Sequence, residues 1–363
     1  MGITKESFLG SDLEVISKRY RIEQNTILPY ASNVNPLGIS PMARQALIDN
    51  IDAIRSYPDR EYLALKSSLS SYCNIDSKYL ILGNGASDLI RLTLEMVSPA
   101  KTLIVGPTYS EYARSAKIAG SKVETYMLSE KEDFQLDIPR FSKKLNESID
   151  LLILCNPNNP TGQAIPKEDI ERIVKHCLSL GIFVMIDETY VEFVEEINHI
   201  SSVSLTKKYD NLVVLRGISK FFAAPGLRLG YAITSNEDFL SAASNSNIPW
   251  NINSLASIAG VMFNDEHYIT LTRNLIKTER NLITAALSSR KSIKVFTPSA
   301  NFVLIKLLKE GQTASEVFQH CIQKGFMIRD CSDYEGLGDK YIRFCFLKPE
   351  QNDDVVNTIL EIV

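Results

Sequence analysis

The chain has 363 residues, a formal net charge of −4 and 45% hydrophobic residues, which is typical of globular proteins and gives no reason to expect a nucleic-acid or anionic-membrane partner. A chain of this length is too long for one small core, so we expect two domains that share an interface. Six scattered cysteines without a CxxC pair, and the lack of a signal-peptide pattern or of an apolar run of about 20 residues, indicate a cytoplasmic protein without a membrane span.

Short apolar runs alternate with helical patterns along the first two thirds of the chain. Ser40 followed by Pro41 predicts a helix start, because a capping residue precedes proline at the first helical position. Strands are predicted at residues 79–82, 102–105, 151–154, 182–186 and 212–215, and helices at 87–97, 111–119 and 167–180. This alternation indicates an α/β fold built on a mostly parallel, buried sheet.

The pattern changes after about Asn264. A long helix at 267–289 and a shorter one at 314–324 accompany strands at 294–296, 302–305 and 341–346, which predicts a smaller α+β domain. We therefore expect an N-terminal segment (1–40) that packs with the small domain, a large α/β domain (41–265) and a small C-terminal domain (266–363).

Three segments with chemical potential follow predicted strands, at the edge where open parallel sheets bind ligands. Residues 83–90, GNGASDLI, join a strand to a helix, so the backbone can approach an anion and the helix start supplies free amides. Residues 155–162, CNPNNPTG, form an irregular turn in which Asn159 can donate a hydrogen bond. Asp187 ends a buried strand and needs a cationic partner there. Each signal alone is equally typical of an ordinary turn or helix cap.

Lys220 lies after the strand at 212–215, in the segment LRGISKFFAAPGLRLGY. Its flanking residues are apolar, and desolvation lowers the pKa of a lysine and makes its amine a nucleophile toward a carbonyl. Arg228, in the same segment, offers a planar donor for a phosphate.

Together these residues describe one ligand. They supply a lysine that can form an imine (Lys220), an acid for a ring nitrogen (Asp187) and an amide for a ring oxygen (Asn159). The anion cradle would be Gly85, Ala86, Ser87 and Arg228, with Tyr109 as a flat face. Pyridoxal 5'-phosphate requires this set, and no metal is expected.

The order of the motifs GNGASD, PTYSEY, NPNNPTG, DETY, SK…GLRLGY and IRF resembles the class I and II aminotransferases, over about residues 33–346. The resemblance implies a fold-type I pyridoxal-phosphate enzyme, with a mostly parallel central sheet flanked by helices and a smaller α+β domain. It also implies a homodimer with shared active sites.

The resemblance assigns a role to each matching position. Lys220 would carry the cofactor as a Schiff base and move protons, and Asp187 would pair with the pyridine nitrogen. The other cofactor contacts would be Tyr109 on the ring face, Asn159 and Tyr190 at the ring hydroxyl, Gly85, Ala86, Ser87, Ser219 and Arg228 at the phosphate, and Tyr57 at the phosphate of the neighbouring subunit. Arg343 would bind the substrate α-carboxylate, and Arg329, with Asn33 or Asn35 nearby, a substrate phosphate.

Two branches of the family fit, and both take a small phosphorylated amino acid or amine. SNVNPLG, PTYSEYARS, APGLRLGY, IPWNINSLA and IRDCSDYEGL are more similar to the threonine-phosphate decarboxylases of the cobalamin pathway, whereas Tyr190 is typical of the histidinol-phosphate aminotransferases. The decarboxylases tend to carry His-Gly-Gly-Asn near the N-terminus to bind the substrate phosphate, where this chain reads Leu-Gly-Ser-Asp at 9–12. An acid beside a phosphate is repulsive, so this departure leaves the substrate open.

Both reactions begin when a substrate amine displaces Lys220, and they differ in which bond at the substrate Cα breaks. The bond held perpendicular to the cofactor ring is the one that breaks, so positioning decides between loss of CO2 and proton transfer. Decarboxylation of L-threonine O-3-phosphate is slightly favoured, and transamination is the alternative. A non-catalytic pyridoxal-phosphate-binding protein is a remote third hypothesis, because such domains usually accompany a basic helix-turn-helix segment and none is found.

Overall fold

The computed structural model of the chain describes residues 12–246 and 248–363. Its strands, β1 to β11, are Leu80–Gly83, Lys101–Gly106, Lys122–Met127, Leu151–Cys155, Phe183–Asp187, Leu212–Gly217, Gly230–Ile233, Ile293–Phe296, Phe302–Leu307, Arg329–Asp330 and Tyr341–Cys345. Its α-helices, α1 to α13, are Leu13–Tyr20, Pro41–Asp49, Leu63–Cys73, Ala86–Val97, Glu111–Ile118, Ile138–Ser142, Lys167–Ser179, Ile197–Ile200, Glu237–Ser246, Ser254–Ile258, Glu266–Ser288, Ala314–Gln323 and Pro349–Ile362. Residues 9–11 of the Leu-Gly-Ser-Asp departure lie outside the described residues, and Asp12 immediately precedes α1.

A seven-stranded sheet has the order β1-β7-β6-β5-β4-β2-β3. The pairs from β6 to β3 are parallel, whereas β7 is antiparallel to both β6 and β1. Six of its strands therefore run in one direction and their carboxyl ends meet at one edge. The expectation of a mostly parallel sheet is confirmed.

Both faces of this sheet are buried, which explains the continuous apolar runs in the sequence. In β4, Leu152 and Leu154 belong to one apolar cluster and Leu151 and Ile153 to the other, as the alternation of side chains along a strand requires. Helices α4 and α5 pack on one face and α7 on the other. The sheet is thus rigid along its length, and side chains at its carboxyl edge start from fixed positions.

A four-stranded antiparallel sheet has the order β10-β11-β9-β8. The N-terminal segment contacts this small sheet and the loop that precedes β10. Leu28 forms a β-bridge with Phe326, and the Tyr30 carbonyl accepts a hydrogen bond from the Cys345 amide at 2.8 Å. Ser40 caps α2 as expected, since its hydroxyl accepts from the Ala43 amide. The exact domain boundaries at 40 and 265 stay predictions.

Over residues 12–246 and 248–363, no helix has the length and apolar character that crossing a bilayer requires. All six cysteines are unpaired, as their scattered spacing predicts.

Candidate active site

A cavity of about 580 Å³ lies at the carboxyl edge of the large sheet, and this volume is typical of small-molecule sites. The large sheet and its loops contribute Ala86, Ser87, Tyr109, Asn159, Asp187, Tyr190, Ser219, Lys220 and Arg228, the small sheet and its loop contribute Arg329, Asp333, Tyr334 and Arg343, and the N-terminal segment contributes Asn33. The cavity therefore gathers most of the residues that the sequence singled out. A second cavity of about 640 Å³, between residues 194–200 and α11, holds none of them.

Asp187 ends β5 at the floor of the cavity and is only 4% exposed. Its Oδ1 accepts hydrogen bonds from the Thr189 amide (2.9 Å) and hydroxyl (2.5 Å), and its Oδ2 accepts from the Tyr112 hydroxyl at 2.7 Å. Burial raises the pKa of Asp187, and these three donors oppose that rise because they favour the carboxylate. Sequence reasoning missed Tyr112, although it is the second tyrosine of PTYSEY, one helical turn beyond Tyr109.

Lys220 lies in the loop after β6, where it is half-buried. Its Nζ donates to the carbonyl of Ser32 at 2.7 Å. Burial lowers the pKa of Lys220 to about 8, and the positive charge of Arg343 adds to the effect. A substantial fraction of this amine is therefore neutral and nucleophilic near physiological pH.

The expected anion cradle lies at the start of α4. Gly85 precedes this helix with a φ of +83°, and a Cβ at that position would collide with the guanidinium of Arg228. Arg228 donates from Nη1 to the Pro225 carbonyl at 3.1 Å and from Nη2 to the Asn84 carbonyl at 3.4 Å. The guanidinium and the first amides of α4, at Ala86 and beyond, thus surround one end of the cavity.

Arg343, on β11, is 3% exposed and joins the small sheet to the rest of the site. Its Nη1 donates to Asn159 Oδ1 and, at 3.3 Å, to the Tyr334 hydroxyl, while Nη2 donates to the Ala31 carbonyl at 2.8 Å. The Tyr334 hydroxyl also donates to Asn159 Oδ1 at 3.2 Å. Since Asn159 accepts through its oxygen, its Nδ2 group remains the donor for a ligand oxygen. Tyr334 is a second residue that sequence reasoning missed.

Arg329 lies on β10, directly opposite Arg343 in the register of the small sheet. Its Nη2 donates to both carboxylate oxygens of Asp333, at 2.8 and 2.6 Å, and its guanidinium lies over the Tyr334 ring at 5.4 Å. Asp333 is the third residue missed from the sequence, because nothing in SDYEGL distinguishes it from a solvated loop acid.

Two of the predicted site residues, Asn35 and Tyr57, do not line the cavity. Asn35 donates to the Phe221 carbonyl at 2.7 Å and the Tyr268 hydroxyl at 2.8 Å, so its side chain ties the N-terminal segment to other elements. Asn33 instead lines the cavity and donates to the Tyr190 hydroxyl at 3.3 Å. Of the two asparagines offered as substrate ligands, the structure places Asn33, not Asn35, in the site. Tyr57 is 78% exposed, and its prediction as a contact to a neighbouring subunit stays a prediction.

This arrangement fits pyridoxal 5'-phosphate. It combines a cradle for a phosphate at Gly85 and Arg228, a buried carboxylate for a ring nitrogen at Asp187, and the amine of Lys220 in the same cavity. A Cβ at Gly85 would displace the Arg228 guanidinium from its present position beside the start of α4.

Comparison with known proteins gives the same result. The family described as aminotransferase class I and II matches residues 25–359. A histidinol-phosphate aminotransferase of Methanosphaera stadtmanae is 32% identical over 98% of this chain and 95% of its own length, and a threonine-phosphate decarboxylase of Salmonella typhimurium is 29% identical over 98% and 95%. The crystal structure of the histidinol-phosphate aminotransferase from Clostridium acetobutylicum is 33% identical with a TM-score of 0.85, covering 92% of this chain and 98% of that one. The predicted family and fold class are confirmed.

Proposed function

The chain belongs to the class I and II aminotransferase family and is a pyridoxal-phosphate enzyme, and on this premise we propose that it decarboxylates L-threonine O-3-phosphate to 1-aminopropan-2-yl phosphate and CO2. The retained alternative is amino-group transfer of the histidinol-phosphate aminotransferase type. Because the proposed substrate is a soluble metabolite, we expect the protein to act in the cytoplasm.

The observation that carries this proposal is the pair of arginines opposite each other on the small sheet. Arg329 and Arg343 both line the cavity and lie on neighbouring strands in direct register. Two guanidinium groups on one wall suit a substrate with two anionic groups, and a phosphorylated amino acid carries a phosphate and a carboxylate. Histidinol phosphate carries the phosphate alone, whereas the 2-oxoglutarate that the alternative reaction requires carries two carboxylates, so the arginine pair favours a phosphorylated amino acid over histidinol phosphate only for the phosphorylated substrate itself.

Different residues of the cavity would perform different steps of such a reaction. When bound, pyridoxal phosphate supplies an electron sink for the bonds at the substrate Cα. Asp187 offers a negative charge to a ring nitrogen, and its donors Thr189 and Tyr112 favour that charge. Lys220, with a pKa of about 8, can give up its place to the substrate amine and return a proton to Cα. Arg343 would hold the α-carboxylate, whose angle to the ring decides which bond breaks.

One observation favours the alternative. Tyr190, rather than phenylalanine, lies beside the cavity with its hydroxyl hydrogen-bonded to Asn33. A hydroxyl at the ring oxygen is the feature that the sequence associated with aminotransferases. The match to the Clostridium acetobutylicum enzyme points the same way.

A homodimer is part of the proposal. Apolar side chains lie exposed on and after α2, before and at the start of α3, and before α10: Met42, Ile48, Ile51, Ile54, Tyr57, Leu63, Ile248 and Trp250. Tyr57 and Trp250 stack within it, with ring centroids 4.5 Å apart. Exposed apolar side chains in such number are typical of a subunit interface, and they include the tyrosine expected to reach the neighbouring active site.

The test is turnover of L-threonine O-3-phosphate by the purified holoenzyme without any oxo acid. Equal amounts of CO2 and 1-aminopropan-2-yl phosphate, and no product from Lys220→Ala, would support decarboxylation. Turnover of histidinol phosphate that requires 2-oxoglutarate would establish the alternative instead. A protein that shows no absorbance from a lysine-bound cofactor, even after reconstitution, would contradict both.

A further inference from the structure

Arg329, one of the two arginines of the candidate active site, already forms an ion pair within the chain. Arg329 is 11% exposed, and its Nη2 donates to both oxygens of Asp333, which is 33% exposed. Both side chains line the cavity, and that of Asp333 is the more exposed of the two. Both contacts use the same nitrogen, so the Nε–Nη1 edge of Arg329 is left for another anion.

The loop that carries Asp333 is fixed at both ends. On one side, Ser332 donates its amide to Asp330 Oδ1 at 2.9 Å. On the other side, Leu337 packs in an apolar cluster with Phe134 and Phe296. Gly336, between them, lies against Met127 of β3. These contacts position the loop so that the carboxylate lies beside Arg329.

We propose that Asp333 sets the anion affinity of this site: as the built-in counter-anion of Arg329, it keeps free phosphate at low occupancy, whereas a phosphate on a substrate that Arg343 holds as well still binds. This inference rests on the proposed function, in which a phosphorylated amino acid is the substrate. It assigns to Asp333 an affinity threshold that a tethered anion reaches and a free anion does not.

The physical reason is the difference in effective concentration. Asp333 weakens every anion at Arg329 by the same factor, because each must displace the carboxylate or approach its negative charge. A phosphate whose carboxylate and amine are already held competes at an effective concentration of at least about 1 mM, and a well-matched geometry raises this much further. The tethered phosphate therefore still occupies the site despite the lower affinity, whereas free phosphate drops to low occupancy.

The pair also satisfies Arg329 while no substrate is bound. A buried guanidinium without a partner is costly. Burial lowers the pKa of Arg329, but its interactions with Tyr334 and with Asp333 outweigh that effect and raise the pKa. An unpaired arginine here would recruit whichever anion is abundant, and inorganic phosphate would then compete with the substrate.

The test uses the holoenzyme, in which the cofactor occupies the cradle at Gly85 and Arg228, and inorganic phosphate as the probe. In a calorimetric titration, Asp333→Asn should bind inorganic phosphate about tenfold more tightly than the unaltered protein, equivalent to about 1.4 kcal/mol. In turnover, phosphate should become a correspondingly stronger competitive inhibitor, and the KM for the phosphorylated substrate should fall. A gain in affinity is informative because a damaged fold does not produce one.

Glu335→Gln is the matched control, since it removes the same charge from the same loop at an exposed position, where the carboxylate accepts from the Thr125 hydroxyl at 3.5 Å. It should bind phosphate like the unaltered protein, and Arg329→Gln added to Asp333→Asn should abolish the gain. Equal or weaker binding by Asp333→Asn, an equal gain in Glu335→Gln, or a gain that survives loss of Arg329 would each overturn the inference. The titration does not depend on which reaction is catalysed, so its failure is distinguishable from a failure of decarboxylation.

Discussion

At the scale of single residues, the chemistry depends on two ionisable groups of the cavity, Asp187 and Lys220, and on the contacts that fix their charge. Burial pushes Asp187 toward the neutral form and Lys220 toward the neutral amine. The first effect opposes the proposed role, and the hydrogen bonds from Thr189 and Tyr112 counter it. The second effect supports the proposed role, and nothing in the cavity needs to counter it.

Tyr112→Phe should therefore impair cofactor binding. The change removes the donor to Asp187 Oδ2 and leaves a buried carboxylate oxygen with one partner fewer, which costs about 1 to 3 kcal/mol. We expect a roughly tenfold or greater rise in the dissociation constant of pyridoxal phosphate, measured by absorbance titration of the apoprotein. Tyr72→Phe is the control, because the Tyr72 hydroxyl is buried and has no hydrogen-bond partner among the described residues. Equal effects of the two changes would show that Tyr112 acts only through packing.

Lys220 predicts a pH dependence of cofactor attachment. Its pKa of about 8 means that the neutral amine is a minority below that pH and dominates above it. The rate at which the apoprotein binds pyridoxal phosphate covalently should rise through about pH 8 and level off above about pH 9. Rapid-mixing absorbance measurements at constant ionic strength would follow it, with Lys220→Arg as a variant that attaches no cofactor. A rate that stays flat from about pH 7 to about pH 9 would contradict the lowered pKa.

Residue types and their order along the chain were sufficient to locate Lys220, Asp187, Asn159 and Arg343 before the structure. Each follows or belongs to an apolar strand, so its position in space follows from the sheet. Tyr334 and Asp333 could not be located in this way. They enter the cavity from a loop of the small sheet, and only the packing of Leu337 and Gly336 determines where that loop lies.

At the scale of elements, the strands that the sequence predicts are those with a continuous apolar run, and the strands without one were missed. Strands β4, β5 and β6 are buried on both faces and read as continuous apolar runs. Strand β3 is an edge strand with exposed Lys122, and β7 is a short antiparallel strand that begins at Gly230. Strand β3 lacks a continuous apolar run, and β7 lies in the short run at residues 229–233, which a glycine interrupts; both strands were missed.

Gly85→Ala tests the junction between β1 and α4. Gly85 and Gly120 both have a φ of +83°, so an alanine at either position meets backbone strain. At Gly120 the added Cβ meets open space, whereas at Gly85 it collides with Arg228. Thermal unfolding of the apoprotein should show that Gly120→Ala is less stable than the unaltered protein. An absorbance titration should show that its affinity for pyridoxal phosphate is unchanged. Gly85→Ala should lose affinity for pyridoxal phosphate and for inorganic phosphate at the cradle, and unaltered affinity there would exclude the proposed phosphate site.

At the scale of the whole molecule, the cavity is closed by parts that are far apart in sequence. The N-terminal segment supplies Asn33 and the Ser32 carbonyl, the large sheet supplies Lys220 and Asp187, and the small sheet supplies Arg343. The hydrogen bonds of Arg343 to Asn159 and to the Ala31 carbonyl connect all three parts. Substrate binding at Arg343 would therefore act directly on the relative position of these parts.

The proposed dimer adds a fourth part, Tyr57 from the neighbouring subunit, and mixed dimers test it. Lys220→Ala and Tyr57→Ala subunits, each inactive alone at a limiting cofactor concentration, would be unfolded together and refolded as a mixture. If Tyr57 serves the neighbouring cavity, half of the dimers are mixed and one of their two sites is intact, so activity should return to about one quarter of that of the unaltered protein. Lys220→Ala mixed with Asp187→Ala is the control, because both residues line the cavity of one chain and every site in that mixture stays defective. Sedimentation would verify that dimers form in both mixtures. Recovery in neither mixture, with dimers present, would place Tyr57 outside the neighbouring site, and the exposed apolar surface around it would then serve association alone.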